Sequence, residues 1–353
     1  MCCASLFLIS RSMITTKVDS SLLNKESKRC FYLDLLRIIA TFGVIFIHLS
    51  MDTNYWYVAL VYDGLVRWSV PVFVMISGAL FLNPRKELSF STVLNKYIKR
   101  LLLSYLFWYL FYCLFRFTRD CIASNSLELS YLSFTPHFHL WFLPMLMCVY
   151  LLIPILRKIA SEKDLLRYAL ILWVACLTIS FVMIRTVPQI SSLFQMNQVV
   201  GYAGYFLLGY YLANISWTRR QLLIIYSFGV LGVLMLIIGS IFLYFYKGDL
   251  PTRFLYNITP HVVFMASALF LLVKQNAPRI EKLLDGSVNY VRKYLFGIYL
   301  VHLIWIMLFE RPIIWNMCNH VLLIPILAIV VFILSLYTTK LLSCIPFLKR
   351  FVE

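Results

Sequence analysis

Three ionisable residues share one apolar run near the start of the chain: Asp34, Arg37 and His48, all within 31–50. Inside a bilayer such side chains are costly, and they mark functional positions by default. Asp34 and Arg37 are spaced i,i+3, so a helix puts them on one face, where they can pair. His48 follows Arg37 by eleven residues, which on a helix is about 16.5 Å along the axis and about 20° around it. Both therefore look toward one side of the helix, one near each end. They cannot touch, but a single elongated ligand can touch both. A guanidinium suits charge-assisted binding of anions, and an imidazole suits proton transfer or nucleophilic attack. The plainer reading has Arg37 snorkelling to headgroups and His48 sitting at the interface.

Other candidates lie further along. Arg67 and the stretch His139-Leu-Trp141-Phe-Leu open their apolar runs from the same side as His48. Each has an interfacial alternative, Trp141 as a member of an aromatic belt. His302 falls midway through a late run and His261 a third of the way down the one before it; a lone membrane histidine is commonly hydrogen-bonded to a neighbouring helix. Arg100 sits at the mouth of the third run, as a phosphate ligand or as a plain flanking charge. No metal site is expected: there is no C-x-x-C, and no H-E-x-x-H, G-x-G-x-x-G, Walker-type or G-x-S-x-G motif. The sequons at Asn214 and Asn257 are read as chance matches at the edges of runs.

The elements that must position these residues follow from composition. The chain has 353 residues, 62% apolar and 13% charged, against about 25% charged in an ordinary soluble domain. Ten apolar runs stand near 31–50, 61–82, 101–117, 139–156, 165–184, 199–214, 222–246, 254–273, 294–310 and 321–345. Each has about the length of a spanning helix, and lipid tolerates only helices or closed, alternating barrels. The fold class expected is an all-α polytopic membrane protein of about ten transmembrane helices.

Charge sets the orientation. Of the 32 Lys and Arg residues, 24 fall in the two ends and every second loop, and 6 in the alternate loops. That asymmetry predicts both termini in the cytoplasm. The net charge of +17 is thus a topology signal, and no nucleic-acid partner is expected. The organisation expected is a basic, disordered tail over 1–30, a membrane domain over 31–345 and a short cytoplasmic tail over 346–353, with Met13 as a possible alternative start. The nine cysteines are scattered; only Cys121 and Cys318 fall in loops on the same outer side, where they can pair.

The Arg37-x10-His48 pair, preceded by Phe31-Tyr-Leu-Asp-Leu-Leu, resembles the first-helix motif of the bacterial acyltransferase-3 family of membrane O-acyltransferases. Val70-Pro-Val-Phe-Val-Met-Ile-Ser-Gly78, Lys99-Arg100-Leu, His139-Leu-Trp-Phe-Leu with Tyr150 and Pro154, and Gly297-Ile-Tyr-Leu-Val-His302 resemble further family patterns in order. The nearest likeness is to the subgroup that acetylates enterobacterial common antigen and similar surface glycans, lipopolysaccharide among the related acceptors. The fourth-helix glutamate of many members has no counterpart in Pro144-Met-Leu-Met, so its role is not carried over.

The resemblance implies transfer of an acyl group, usually acetyl, from cytoplasmic acyl-CoA to a hydroxyl of a glycan or lipid-linked sugar at the outer face of the bacterial inner membrane. It implies no permanently bound cofactor. His48 becomes general base or nucleophile, Arg37 and Arg100 ligands of the CoA phosphates, and Arg67 or His139 the oxyanion stabiliser. Asp34, His139, Trp141 and His302 become substrate-binding residues. A transporter or flippase of lipid-linked saccharides is the alternative from another class.

Overall fold

The computed structural model describes residues 30–51, 53, 55–84, 88–124, 137–186, 198–247, 252–309 and 319–352. These residues form helices, with no strand among them. Six helices are long and apolar enough to cross a membrane, and two bent helix pairs raise the number to eight. With these helices the chain is a multi-pass membrane protein.

Helix α1 (Phe31–Met51) is central and packs against α2 (Trp56–Val66) and α3 (Ser69–Phe81). The run expected at 61–82 is one span of 26 residues, Trp56–Phe81, with a turn at Arg67-Trp68 between α2 and α3. Pro71 supplies no N–H to the Arg67 carbonyl, which loosens the ladder there. A single turn, Phe90–Thr92, leads into a π-helical segment, Val93–Ile98, and then into α4 (Lys99–Ser124). A 3-10 turn (Phe138–Trp141) opens α5 (Phe142–Leu151), and α6 (Ile153–Ser161) leaves it at 56°. Pro154, early in α6, cannot continue the α5 ladder. Then come α7 (Lys163–Thr186), α8 (Gln198–Asn214) and α9 (Arg219–Lys247).

Helix α10 (Pro260–Val291) runs for 32 residues before a 69° turn into α11 (Leu295–Phe309). The segment 274–293, expected as a loop, is thus mostly helix; its polar residues continue the α10 ladder beyond the apolar run. Lys274 on α10 donates to the carbonyl oxygens of Leu212 at 3.0 Å and Ala213 at 2.7 Å, so a cation satisfies the end of α8. Helix α12 (His320–Ser343) and a short α13 (Pro346–Val352) finish the chain. The expected C-terminal tail is this helix: Val352 is buried, and Phe351 stacks on Phe107 of α4 at 4.4 Å. Residues 1–29 and Cys318 lie outside the described residues.

Helices α7 and α9 turn most of their apolar side chains outward, Ile171, Phe228, Val230 and Leu231 among them. In a membrane those faces meet lipid tails. Without a hydrophobic force between helices, close backbone approach must hold the bundle. The tightest crossing is α3 on α8. A Cβ at Gly78 would stand 1.8 Å from the carbonyl oxygen of Phe206, and one at Gly209 would stand 2.0 Å from that of Met75. Both obstacles are backbone and cannot step aside. Gly78→Ala or Gly209→Ala should therefore lower stability by about 1–3 kcal/mol, read as a lower melting temperature of the detergent-solubilised protein; an unchanged melt would show that the crossing has slack.

Candidate active site

Asp34 is buried in the first turns of α1 and accepts from Arg37 at 2.9 Å, with Arg292 at 3.8 Å on its other oxygen. The carboxylate is thus committed to holding two arginines rather than facing outward. Arg37 has more donors than this pairing uses, and it lines a cavity of about 340 Å3. Arg100 lines the same cavity and lies over the Phe296 ring at 5.4 Å. The π-helical segment shifts the register ahead of α4 and brings Tyr97 onto the wall beside Arg100; such bulges recur at functional sites. Ser77 and Tyr150, their hydroxyls 3.3 Å apart, add polar groups to an otherwise apolar lining.

Phe142 and Tyr299 also line the cavity, and the Tyr299 ring meets two members of a histidine cluster, His139 at 5.9 Å and His302 at 6.0 Å. His48 stacks on His302 with ring centroids 5.3 Å apart, and His139 meets His302 edge-on at 5.6 Å. The Tyr299 hydroxyl donates to the His139 carbonyl at 2.5 Å, tying α11 to the entrance of α5. His137, just before the 3-10 turn, joins the cluster with its Nδ1 3.2 Å from that of His139. Burial, aided by the charges of Arg116 and Arg119, pushes the His137 imidazole down to about 4, so it is neutral near pH 7.

Three ring nitrogens in this cluster are buried without a hydrogen-bond partner: His48 Nδ1, His139 Nε2 and His302 Nε2. A buried unpaired polar atom costs about 1–3 kcal/mol, so three in one place constitute an expense for structure alone and an asset for a site that receives polar atoms. Among the described residues, no group of three or more His, Cys, Asp or Glu is arranged to hold a metal ion.

Arg67 is half-buried at the turn between α2 and α3 and donates to the buried Asp63, one turn earlier. One atom of each, Arg67 Nε and Asp63 Oδ1, has no partner. Trp141 is partly exposed and lies against Tyr202 at 5.9 Å. His261 stands apart: its Nε2 is 2.9 Å from the Phe254 carbonyl and 3.1 Å from the Thr259 hydroxyl, a local fastening. Asn257, in one of the two sequons, donates to the Tyr202 hydroxyl at 3.0 Å.

The residues singled out by sequence thus form two groups, Asp34, Arg37 and Arg100 at one end and His48, His139 and His302 at the other. Arg67 and Trp141 sit beside the second group's elements without ring contact to it. Sequence reading missed Asp63, His137, Tyr97 and Tyr299. Asp63 was open to discovery through its i,i+4 spacing from Arg67, and His137 through its place two residues before His139. Nothing in the sequence marks the π-helical register that carries Tyr97.

No curated protein and no solved structure matches the chain. A family model described as an acyltransferase domain matches residues 31–340. That stretch starts with the first residue of α1 and ends within α12, so it takes in the arginine-lined cavity and the histidine cluster alike. By this match the chain belongs to the acyltransferase-3 family and is a membrane acyltransferase.

Proposed function

We propose that the protein moves an acetyl group from cytoplasmic acetyl-CoA to a hydroxyl of a surface glycan or lipid-linked sugar at the outer face of the bacterial inner membrane, with enterobacterial common antigen and related glycans as the acceptor class. One observation carries the reading. A cavity lined by Arg37 and Arg100 adjoins, through Tyr299, a cluster of histidines that includes His48.

In this reading Arg37 and Arg100 hold the CoA phosphates by charge-assisted hydrogen bonds. The rise along α1 from Arg37 to His48, about 16.5 Å, is comparable to an extended pantetheine arm. The thioester then lies at the histidines. His48 takes the proton of the acceptor hydroxyl as its oxygen bonds to the acyl carbon. The carbon–sulfur bond breaks, and the proton passes to the departing thiolate, giving the ester and free CoA. Arg67 or His139 supplies donors to the oxyanion that forms between these events. Trp141, His139 and His302 bound the acceptor. A covalent acyl-His48 intermediate is the variant of this scheme, and trapping label on the protein without acceptor would reveal it.

The test is compositional. Mass spectrometry of surface glycans from cells with and without the protein should show an acetyl-sized increment that depends on it. Identical spectra would refute the reading.

The reading places the arginine end of α1 on the cytoplasmic side, the orientation with cytoplasmic termini that the 24-to-6 distribution of Lys and Arg supports. Reporter fusions after residue 90 and at the C-terminus should then read cytoplasmic and fusions near residue 125 periplasmic. A periplasmic C-terminus would contradict it.

A further inference from the structure

His302 is fully buried on α11, and its Nδ1 lies 2.6 Å from the carbonyl oxygen of Tyr299. A carbonyl oxygen only accepts, so Nδ1 carries the ring proton, and in the neutral imidazole Nε2 is left as a bare acceptor. That Nε2 is buried and has no partner. The tautomer is therefore fixed by the backbone one turn earlier on the same helix.

The same ring lies against His48, with planes 24° apart and centroids at 5.3 Å. On another side the His48 ring meets Phe138 at 5.1 Å and 68°. His48 is thus gripped by one face-on and one edge-on neighbour. A reacting histidine is commonly oriented by a carboxylate or carbonyl on its second nitrogen. Among the described residues, the ionisable groups around His48 are of another kind: His302 on α11, His137 and His139 at the entrance of α5, and Arg67 at the end of α2. The Asp63 carboxylate is paired with Arg67. His48 Nδ1 has no partner of its own, so packing must do what a hydrogen bond does elsewhere.

We propose that His302 is the positioning residue for His48: a ring locked in one tautomer by the Tyr299 carbonyl, lying face-on to the His48 imidazole and fixing its plane together with Phe138. The role rests on His48 being the reacting imidazole. Because the two rings present faces rather than edges, His302 does not compete for the proton that His48 takes. It holds the ring where the acceptor hydroxyl and the thioester meet.

Two substitutions in the full-length, detergent-solubilised protein separate the ring from its anchor. His302→Asn keeps a donor for the Tyr299 carbonyl but removes the stacked ring; His302→Phe keeps a ring and loses the donor. A misplacement of this kind costs about 10²-fold in rate, so His302→Asn should lower kcat by that order with KM for acetyl-CoA unchanged, and His302→Phe should lower it less. A second readout needs no turnover. Carbethoxylation of His48 by diethyl pyrocarbonate, followed by peptide mass spectrometry, should be faster in His302→Asn than in the wild type. Wild-type kcat and wild-type His48 reactivity in His302→Asn would overturn the proposal, as would a folded His302→Phe as impaired as His302→Asn. If the wild type transfers no acetyl group, the functional reading fails, and the carbethoxylation rates still decide the positioning role.

Discussion

Replacing His48 by Gln should reduce acetyl transfer by about 10²–10⁴-fold, the usual contribution of a general base. Glutamine approximates the size of the side chain and can hydrogen-bond, but it cannot take a proton. His48→Ala should be at least as inactive and would also leave space against His302 and Phe138, which now pack on the ring. Acetyl-CoA binding should survive both changes, because Arg37, the proposed phosphate ligand on α1, lies eleven residues from His48 along that helix. The pair of measurements separates chemistry from recognition. An interfacial spacer would behave differently, with Gln silent and Ala mild.

The second large effect concerns the donor. Hydrogen bonds to charged groups are worth about 1.5–3 kcal/mol, so Arg37→Ala should weaken acetyl-CoA binding by about 10- to 100-fold. Arg37→Lys should fall between, since an ammonium replaces a planar fork with a point charge. The fold should tolerate the loss. Asp34 keeps Arg292 at 3.8 Å, so its buried carboxylate is not abandoned without a cation. Calorimetry with a non-transferable acetyl-CoA analogue measures the affinity directly. Unchanged binding in both variants would make Arg37 a headgroup anchor and leave the cavity without its proposed ligand.

Much of the fold was legible because bilayer-length apolar runs have few alternatives. The first run, 31–50, is α1 (Phe31–Met51), and the last, 321–345, is α12 (His320–Ser343) to within two residues. The breaks were not legible in hydropathy, which counts apolar side chains and ignores the backbone ladder. Pro71 and Pro154 interrupt that ladder inside runs that look continuous, and α10 extends through polar residues that hydropathy assigns to a loop. The site shows the same division. The i,i+3 spacing of Asp34 and Arg37 places them on one face of α1, where they meet at 2.9 Å, because that contact is local. The approach of His302 to His48 joins α11 to α1 across more than 250 residues, and only tertiary packing decides it. Depth in the bilayer could be read from position along each run; which helix faces which could not.

The central claim is that this chain carries an acyl group from acyl-CoA to a hydroxyl with His48 as the reacting imidazole. The most direct measurement incubates purified protein in detergent with acetyl-labelled acetyl-CoA and a surface-glycan extract, alongside the His48→Gln variant. Label should appear in ester linkage on the glycan with the wild type and be lost with His48→Gln, although both bind acetyl-CoA. Equal labelling by the two proteins would contradict the role of His48, and no labelling by a wild type that binds acetyl-CoA would contradict glycan acetylation itself.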